Sequence, residues 1–187
     1  RISLETASKV WNACGLRIGA IITDNALCYE KSVAEYTANL SANTLGQYIF
    51  GALAHESHAE LHNWYEQQRD YYREMIYELH KGFKEVEPDF IISNPEASIY
   101  FVIDVRNVAK PDFDGVEFAA WCAEHGRVTL DDYTLLMAPL NGFYSGADSE
   151  HNPGKTQLRV SFCENPDLLK LAPVLLSKLF RAYEAQR

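Results

Sequence analysis

The feature that most constrains this chain lies near its beginning, where a lysine and an arginine stand among small residues. Thr6-Ala7-Ser8-Lys9 places Lys9 after two hydroxyl side chains, and Gly15-Leu16-Arg17-Ile18-Gly19 places Arg17 between two glycines. Small residues on both sides of the arginine predict a tight turn that leads into a strand. Hydroxyls and an arginine are also the donors that a dianionic phosphate prefers, because they combine short O–H groups with a permanently charged planar fork.

Lys9 adds a second kind of chemistry to the same segment. The amine of a lysine can form a Schiff base with an aldehyde. A ligand that carries both an aldehyde and a phosphate is pyridoxal phosphate (PLP), for which the protein supplies binding and orientation while the cofactor carries the chemistry. The alternative explanation is a surface lysine beside a glycine-rich strand.

The segment resembles the PLP-lysine signature of the class I/II aminotransferases, which have PLP fold-type I. The resemblance implies that Lys9 is the Schiff-base lysine, that Arg17 binds the cofactor phosphate and that Ser8 is the small residue before the lysine. Thr6 stands where the family usually has serine or glycine. Because Thr6 retains a hydroxyl, it is expected to contact the phosphate together with Ser8 and Arg17. PLP is the cofactor that the resemblance implies.

The residues after the motif indicate one strand and two helices. Leu16 to Thr23 is an almost continuous apolar run, which predicts a strand buried on both faces of a parallel sheet. Turn residues then separate two predicted helices, over residues 26–39 and 45–55. These elements are expected to belong to a large PLP-binding domain.

A long helix is predicted next. It begins at the Ser57-x-x-Glu60 capping box and continues to about residue 81, which is long enough to bridge two domains. Gly82 is predicted to end it, as glycines commonly do after a helix. The resemblance therefore divides the chain into residues 1–75, the end of the large domain with the bridging helix, and residues 76–187, a small C-terminal domain.

The small domain is predicted to have α+β character. Strands are expected over residues 98–105, 134–138 and 156–163, and helices are expected to begin at Asp114 and Asn165. The fold class implied by the resemblance is α/β. In that fold the chain would supply the end of the large domain, a long bridging helix and an α+β small domain.

Two further residues resemble substrate contacts. Arg159 lies in a predicted core strand, where an unpaired guanidinium is costly, and the resemblance implies that it binds the substrate α-carboxylate through two parallel hydrogen bonds. An edge-strand arginine that points to solvent is the alternative. Phe143-Tyr144 resembles a loop that covers the active site, so Tyr144 is expected to contact substrate. The alternative there is a surface loop with two packed aromatic rings.

Metal binding is not expected. His58 and His62 would share a helical face, but the His-Glu-x-x-His order of a zinc site is absent, and with His55 they are expected to be solvated side chains. The cysteines lie far apart and fit reduced thiols in a cytoplasmic protein better than a disulfide framework. The four positions are Cys14, Cys28, Cys122 and Cys163.

Composition limits the partners of the chain. Among its 187 residues 47% are hydrophobic and 23% are charged, as in ordinary globular proteins, and the net charge is −9. The absence of basic runs disfavours nucleic acid and anionic membranes as partners. No apolar stretch approaches the length of a membrane span.

The expected activity is transfer of an amino group from an amino acid to a 2-oxo acid, with Lys9 as the residue that binds the cofactor and moves the proton. Another fold-type I activity, such as C–S lyase or decarboxylase, and a non-catalytic aminotransferase-like domain of a regulator are alternatives. No lysine or arginine lies between Ser32 and Gln68, which disfavours strict selectivity for dicarboxylates. Because the motif stands so early, the chain is expected to be the C-terminal portion of a longer homodimeric enzyme, inactive by itself.

Overall fold

The computed structural model of the chain describes residues 1–126, 133–146 and 151–187. These residues form two compact units, Arg1–Tyr65 and Glu66–Arg187. Within the described residues, no helix combines the length with the apolar character that a bilayer crossing would need.

The first unit is built from short elements. The predicted helices over residues 26–39 and 45–55 are confirmed, the second as an α-helix followed by a 3-10 turn, Ala52–His55. An asparagine side chain caps each helix: Asn25 accepts from the Cys28 amide and Asn43 from the Gly46 amide. The elements of this unit are β1 (Ile2–Thr6), α1 (Ala7–Val10), β2 (Gly19–Thr23), α2 (Ala26–Ala38) and α3 (Thr44–Gly51).

The prediction of a strand buried on both faces of a parallel sheet was wrong. In the described structure β2 pairs antiparallel with β1, and four of its five residues are exposed. An apolar run of this length is compatible with either arrangement, because periodicity alone does not show which strand it will pair with. Its partner β1 is itself a strand that the sequence patterns did not predict.

Helix α4 spans His58–Val86 and begins at the predicted capping box. The Ser57 hydroxyl accepts from the Glu60 amide, and the Glu60 carboxylate accepts from the Ser57 amide at 2.9 Å. The prediction that Gly82 ends the helix was wrong, since α4 continues four residues beyond it. A Cβ on Gly82 would lie 3.0 Å from Cγ of Pro173, so this glycine permits a close approach of Pro173 to the helix.

The second unit contains strands and helices that follow α4. They are β3 (Ile91–Ile92), β4 (Tyr100–Asp104), α5 (Gly115–His125), β5 (Ala138–Pro139), β6 (Gln157–Ser161), α6 (Pro166–Leu169) and α7 (Ala172–Gln186). The four strands form an antiparallel sheet in the order β3-β4-β6-β5. Asp114 caps α5 as predicted, because its carboxylate accepts from the amides of Val116 and Glu117.

The strand predicted over residues 134–138 is much shorter in the structure, where only Ala138 and Pro139 pair with β6. The Thr134 hydroxyl instead donates to the carbonyl of Cys122 at 2.7 Å, near the end of α5. This contact draws residue 134 to the helix and away from the ladder. Residues 147–150, which follow the predicted loop of Phe143 and Tyr144, lie outside the described residues.

The hydrophobic core lies between one face of the sheet and the helices of the second unit. Along β6, Leu158 and Val160 are buried, while Gln157 and Arg159 lie on the opposite face and are half-buried. The same alternation buries Phe101 and Ile103 of β4. The sheet therefore has one face in the core and one face that carries polar side chains.

Candidate active site

The pairing of β1 with β2 folds the lysine segment into a compact turn. Thr6 is opposite Gly19 in the register, and the Ala7 amide donates to the Ile18 carbonyl at 3.2 Å. The carbonyl of Ala7 in turn accepts from the amide of Ala13 at 3.1 Å. A Cβ on Gly19 would lie 2.6 Å from the carbonyl oxygen of Glu5, so only glycine permits the two strands to meet here.

Lys9 lies in α1, the short helix inside this turn. Thr6 is the N-cap of α1, and its hydroxyl accepts from the Ser8 amide at 3.2 Å. The Lys9 side chain is exposed and that of Ser8 is half-buried. The hydroxyl of Thr6 therefore organises the backbone next to Lys9.

Arg17 has a left-handed backbone conformation, with φ 53° and ψ 45°. For a non-glycine residue this conformation is uncommon and costs about 1–2 kcal/mol. The Arg17 Nη1 donates to the Cys14 carbonyl at 3.0 Å, which holds the side chain against its own turn. An arginine has five N–H donors, and no other hydrogen bond of this guanidinium occurs within the described residues.

An aromatic cluster holds the turn against the rest of its unit. The Trp11 ring stacks on Trp64 with centroids 5.5 Å apart, and it meets Phe50 edge-on at 5.6 Å. The Asn43 side chain adds a polar contact by donating to the Leu16 carbonyl at 3.0 Å. The sequence patterns did not single out Trp11, because a tryptophan in a turn has no periodicity that would reveal its partners.

The structure brings two of the predicted phosphate ligands together. Thr6 and Arg17 line one open concavity of about 1440 Å³, whose other walls are largely apolar. Lys9 and Ser8 belong to the adjoining turn but are not among its lining residues. A concave, mostly apolar surface with a few convergent polar groups is the usual form of a small-molecule site.

Arg159, in the second unit, lies on an interior strand. β6 stands between β4 and β5, with Arg159 opposite Val102 on one side and Ala138 on the other. The alternative of an edge-strand arginine is therefore wrong. The guanidinium carbon lies 4.4 Å from the ring centroid of Tyr100 and 5.3 Å from that of Phe143.

No ion pair of Arg159 occurs within residues 1–126, 133–146 and 151–187. In that part of the chain two aromatic rings, and no carboxylate, contact the guanidinium. Aromatic faces attract a guanidinium while its N–H edge stays available as a donor. Tyr100 lies in β4, and its contact with Arg159 depends on the pairing of β4 with β6.

Tyr144 contacts the same strand. Its hydroxyl donates to Oε1 of Gln157 at 2.6 Å, and the side chain is 39% exposed. Gln157 lies two residues before Arg159, so both side chains are on the same face of β6. The structure thus binds Tyr144 to Gln157 of the strand that carries Arg159, a contact that the sequence patterns did not indicate.

Gln157 is bound in turn to a buried carboxylate. Its Nε2 donates to Oδ2 of Asp104 at 3.1 Å, and Asp104 also accepts from Thr156 Oγ1 at 2.8 Å and from Arg106 Nε at 2.7 Å. Burial of Asp104 alone would raise the pKa of its carboxyl, but these hydrogen bonds more than offset burial and lower the pKa. Asp104 is therefore a carboxylate at neutral pH.

The other candidates are not assembled into a site. The rings of His58 and His62 stack with centroids 6.3 Å apart. Across the part of the chain that the structure describes, no group of three or more histidine, cysteine, aspartate or glutamate side chains could hold a metal ion. All four cysteines are free thiols.

Comparison with known proteins identifies the class to which this arrangement belongs. The family model described as "Aminotransferase class I and II" matches residues 1–175. The chain therefore belongs to the class I and II aminotransferases, a family of PLP-dependent enzymes.

Solved structures show the same fold. N-succinyldiaminopimelate aminotransferase from Mycobacterium tuberculosis is similar with a TM-score of 0.73 at 20% identity, over 95% of this chain and 41% of that chain. An α-aminoadipate aminotransferase from Thermus thermophilus, solved with N-(5′-phosphopyridoxyl)-L-leucine, has a TM-score of 0.74 at 16% identity, over 100% of this chain and 43% of that chain. The predicted fold class, a part of the PLP-transferase fold, is confirmed. The chain spans about two-fifths of the length of these structures.

Proposed function

We propose that this chain carries the PLP-binding lysine and the carboxylate-binding arginine of an aminotransferase, an enzyme that transfers the amino group of an amino acid to a 2-oxo acid. The observation that carries the proposal is the pairing of β1 with β2. It holds Thr6 and Arg17 on one concavity and folds Lys9 into the turn between them. Membership of the class I and II family over residues 1–175 supports the same activity.

The donor set of the turn fits a phosphorylated aldehyde. The hydroxyl of Thr6 and the free donors of Arg17 would bind the phosphate, with the hydroxyl of Ser8 beside them. The exposed amine of Lys9 would bind the aldehyde carbon. When bound, PLP would supply a ring that stabilises negative charge at the substrate Cα.

The side chains of this chain would then orient the substrate and move its proton. Arg159 would bind the α-carboxylate through two parallel N–H···O bonds, with Tyr100 and Phe143 restricting the plane of the guanidinium. The amine of Lys9, once released from the cofactor, would remove the proton at Cα as a general base. Tyr144, whose hydroxyl is hydrogen-bonded to Gln157, would lie beside the bound carboxylate.

The partners follow from this chemistry. The substrates would be an amino acid and a 2-oxo acid, without nucleic acid or membrane partners. We further propose that the complete enzyme is a homodimer, as the family resemblance implies, and that it works in the cytoplasm. The four free thiols, Cys14, Cys28, Cys122 and Cys163, are compatible with a reducing compartment.

Reductive labelling tests the assignment of Lys9. The protein is incubated with PLP, reduced with borohydride and digested, and the modified lysine is identified by peptide mass. We expect the label on Lys9 in preference to the other seven lysines. An even distribution of the label would contradict the assignment.

Two variants sharpen this experiment. Arg17→Gln removes the charged phosphate contact and is expected to lower the affinity for PLP roughly 10- to 100-fold, as the loss of a charged hydrogen bond would. Lys31→Arg alters an exposed lysine of α2 and should leave labelling of Lys9 unchanged. Equal effects of the two substitutions would show that Arg17 does not bind the phosphate.

A further inference from the structure

Gln157 has a hydrogen-bonding arrangement that only one orientation of its amide satisfies. The carboxylate of Asp104 can accept hydrogen bonds but cannot donate them, so the Gln157 Nε2 must face Asp104. The amide oxygen must then face Tyr144, whose hydroxyl becomes the donor in the 2.6 Å contact. The ionised state of Asp104 thus determines the direction of both hydrogen bonds in the series Asp104–Gln157–Tyr144.

Tyr144, at one end of this hydrogen-bonded series, lies in the segment that contacts Arg159. Tyr144 directly follows Phe143, the residue that closes the 3-10 turn Asn141–Phe143 and whose ring lies 5.3 Å from the Arg159 guanidinium. Both of these aromatic residues are substantially exposed, Phe143 at 64%. Burial therefore does little to hold Phe143 in place, whereas the hydrogen bond between Tyr144 and Gln157 ties its neighbour to β6.

Asp104, at the other end of the hydrogen-bonded series, is held rigidly. Asp104 is 4% exposed and is the last residue of β4, opposite Gln157 in the register. The guanidinium of Arg106 and the hydroxyl of Thr156 take up its other lone pairs. A carboxylate held by so many donors has little freedom to turn, so it fixes the amide that it faces.

We propose that Gln157 is a positioning residue for Arg159: held by Asp104, it fastens Tyr144 so that Phe143 stays against the Arg159 guanidinium. This inference rests on the proposed function, in which Arg159 binds the substrate carboxylate. Contact with the rings of Tyr100 and Phe143 restricts the orientation of the guanidinium and therefore the direction of its N–H edge. Such preorganisation reduces the entropy lost when a planar carboxylate binds.

The test follows the Nε–Hε NMR signal of Arg159, identified by its loss in Arg159→Lys. Aromatic rings close to a guanidinium displace its resonances, so Phe143→Leu gives the signal position without that ring. We expect Gln157→Met and Tyr144→Phe each to move the signal toward the Phe143→Leu position. Because both act through one hydrogen bond, the double variant should shift it no further than Gln157→Met alone.

A matched control uses a second glutamine of the same unit. Gln186 accepts a hydrogen bond from Trp121 Nε1 at 3.0 Å, and Gln186→Met removes a comparable contact. This variant should leave the Arg159 signal in place, which separates a positioning effect from a general loss of stability. The inference is overturned if Gln157→Met and Tyr144→Phe leave the signal at its wild-type position while Phe143→Leu moves it.

A titration with benzoate separates this inference from the proposed function. Benzoate, a planar monocarboxylate, should perturb the Arg159 signal of the wild-type protein, and Gln157→Met should weaken its affinity roughly 2- to 10-fold. If benzoate has no effect on the wild-type signal, the carboxylate-binding role of Arg159 fails. The comparison of variants without benzoate still decides whether Gln157 positions Phe143.

Discussion

At the scale of single residues, Asp104 shows how burial and hydrogen bonding compete. Burial raises the pKa of its carboxyl, but donors from Arg106, Thr156 and Gln157 lower it below the usual value of 3.8. The folded state therefore favours the carboxylate more than the unfolded state does. This preference stabilises the fold at neutral pH, and the contribution is lost as the pH falls through the lowered pKa.

Substitution of Asp104 tests this balance. Asp104→Asn is expected to lower the free energy of unfolding at neutral pH by about 1–3 kcal/mol, because donors around a buried acceptor lose their charged partner. It should also weaken the acid dependence of stability, measured by urea unfolding across acidic and neutral pH. If the stability of Asp104→Asn depended on acidic pH as strongly as that of the wild-type protein, this account would be contradicted.

Glu87 is a second buried carboxylate in which burial and hydrogen bonding have opposite effects on the pKa. Burial also raises the pKa of this carboxyl, but hydrogen bonds from Arg181 and Ser177 lower it overall. Glu87→Gln should therefore remove a separate part of the acid dependence, and the two substitutions together should remove more than either alone. Because the carboxylates lie in different contacts, their effects should add.

Cysteine reactivity gives a second prediction at this scale. Cys122 is fully buried, and burial raises the pKa of its thiol to about 12. Since the thiolate is the reactive form, Cys122 should resist iodoacetamide in the native protein, whereas the exposed Cys14 and Cys163 should react. Peptide mass spectrometry after a short exposure to iodoacetamide measures the order in which the cysteines react. Modification of Cys122 as fast as Cys163 under native conditions would contradict the buried position.

The residues of the proposed site differ in how far the sequence could predict them. Lys9 and Arg17 stand in a motif whose spacing is local, so the residue types alone predicted them. Gln157 could not be predicted in this way. Its contacts with Asp104 and Tyr144 depend on cross-strand register and on the path of a turn, which neither periodicity nor a local motif encodes.

At the scale of elements, the β1–β2 pair determines the shape of the lysine turn. A Cβ at residue 19 would lie 2.6 Å from the carbonyl of Glu5, a distance that real Cβ contacts do not show. A Cβ on Gly15, in the same turn, would have no atom within 4 Å. The two glycines therefore offer a matched pair of substitutions.

Gly19→Ala is expected to destabilise the β1–β2 pairing by about 1–3 kcal/mol, the usual cost of forcing an extra carbon into a packed contact. Gly15→Ala should be neutral or slightly stabilising, because alanine restricts the unfolded chain. Urea unfolding gives the free energies, and PLP labelling of Lys9 reports on the turn. Equal behaviour of the two variants in both measurements would show that the strand contact does not shape the turn.

Sequence patterns predicted the helices better than the strands. The capping box at Ser57 and the cap at Asp114 are local signals, and both helices begin where those signals stand. The antiparallel partner of β2 and the interior position of Gly82 result from tertiary contacts. Pro173 approaches Gly82 from a distant part of the chain, and no local rule distinguishes such a glycine from a helix end.

At the scale of the whole molecule, the buried apolar side chains are distributed unequally. Every residue of the main hydrophobic core lies between Met75 and Tyr183, in the second unit. In the first unit only Ala7 and Gly46 are buried, and large apolar residues such as Leu40 are exposed. Since burial of apolar area is the dominant favourable term in folding, the two units should differ in stability.

Hydrogen exchange followed by mass spectrometry measures that difference directly. We expect peptides from residues 66–187 to be protected for longer than those from residues 1–65, because local opening of the second unit must expose its core. Leu179→Ala, at a position with no exposed surface, should lower protection across the second unit by about 2–5 kcal/mol. Leu40→Ala removes the same atoms from a side chain that is 87% exposed and should change little. Equal protection of the two units in the wild-type protein would show that contacts other than the described core stabilise the first.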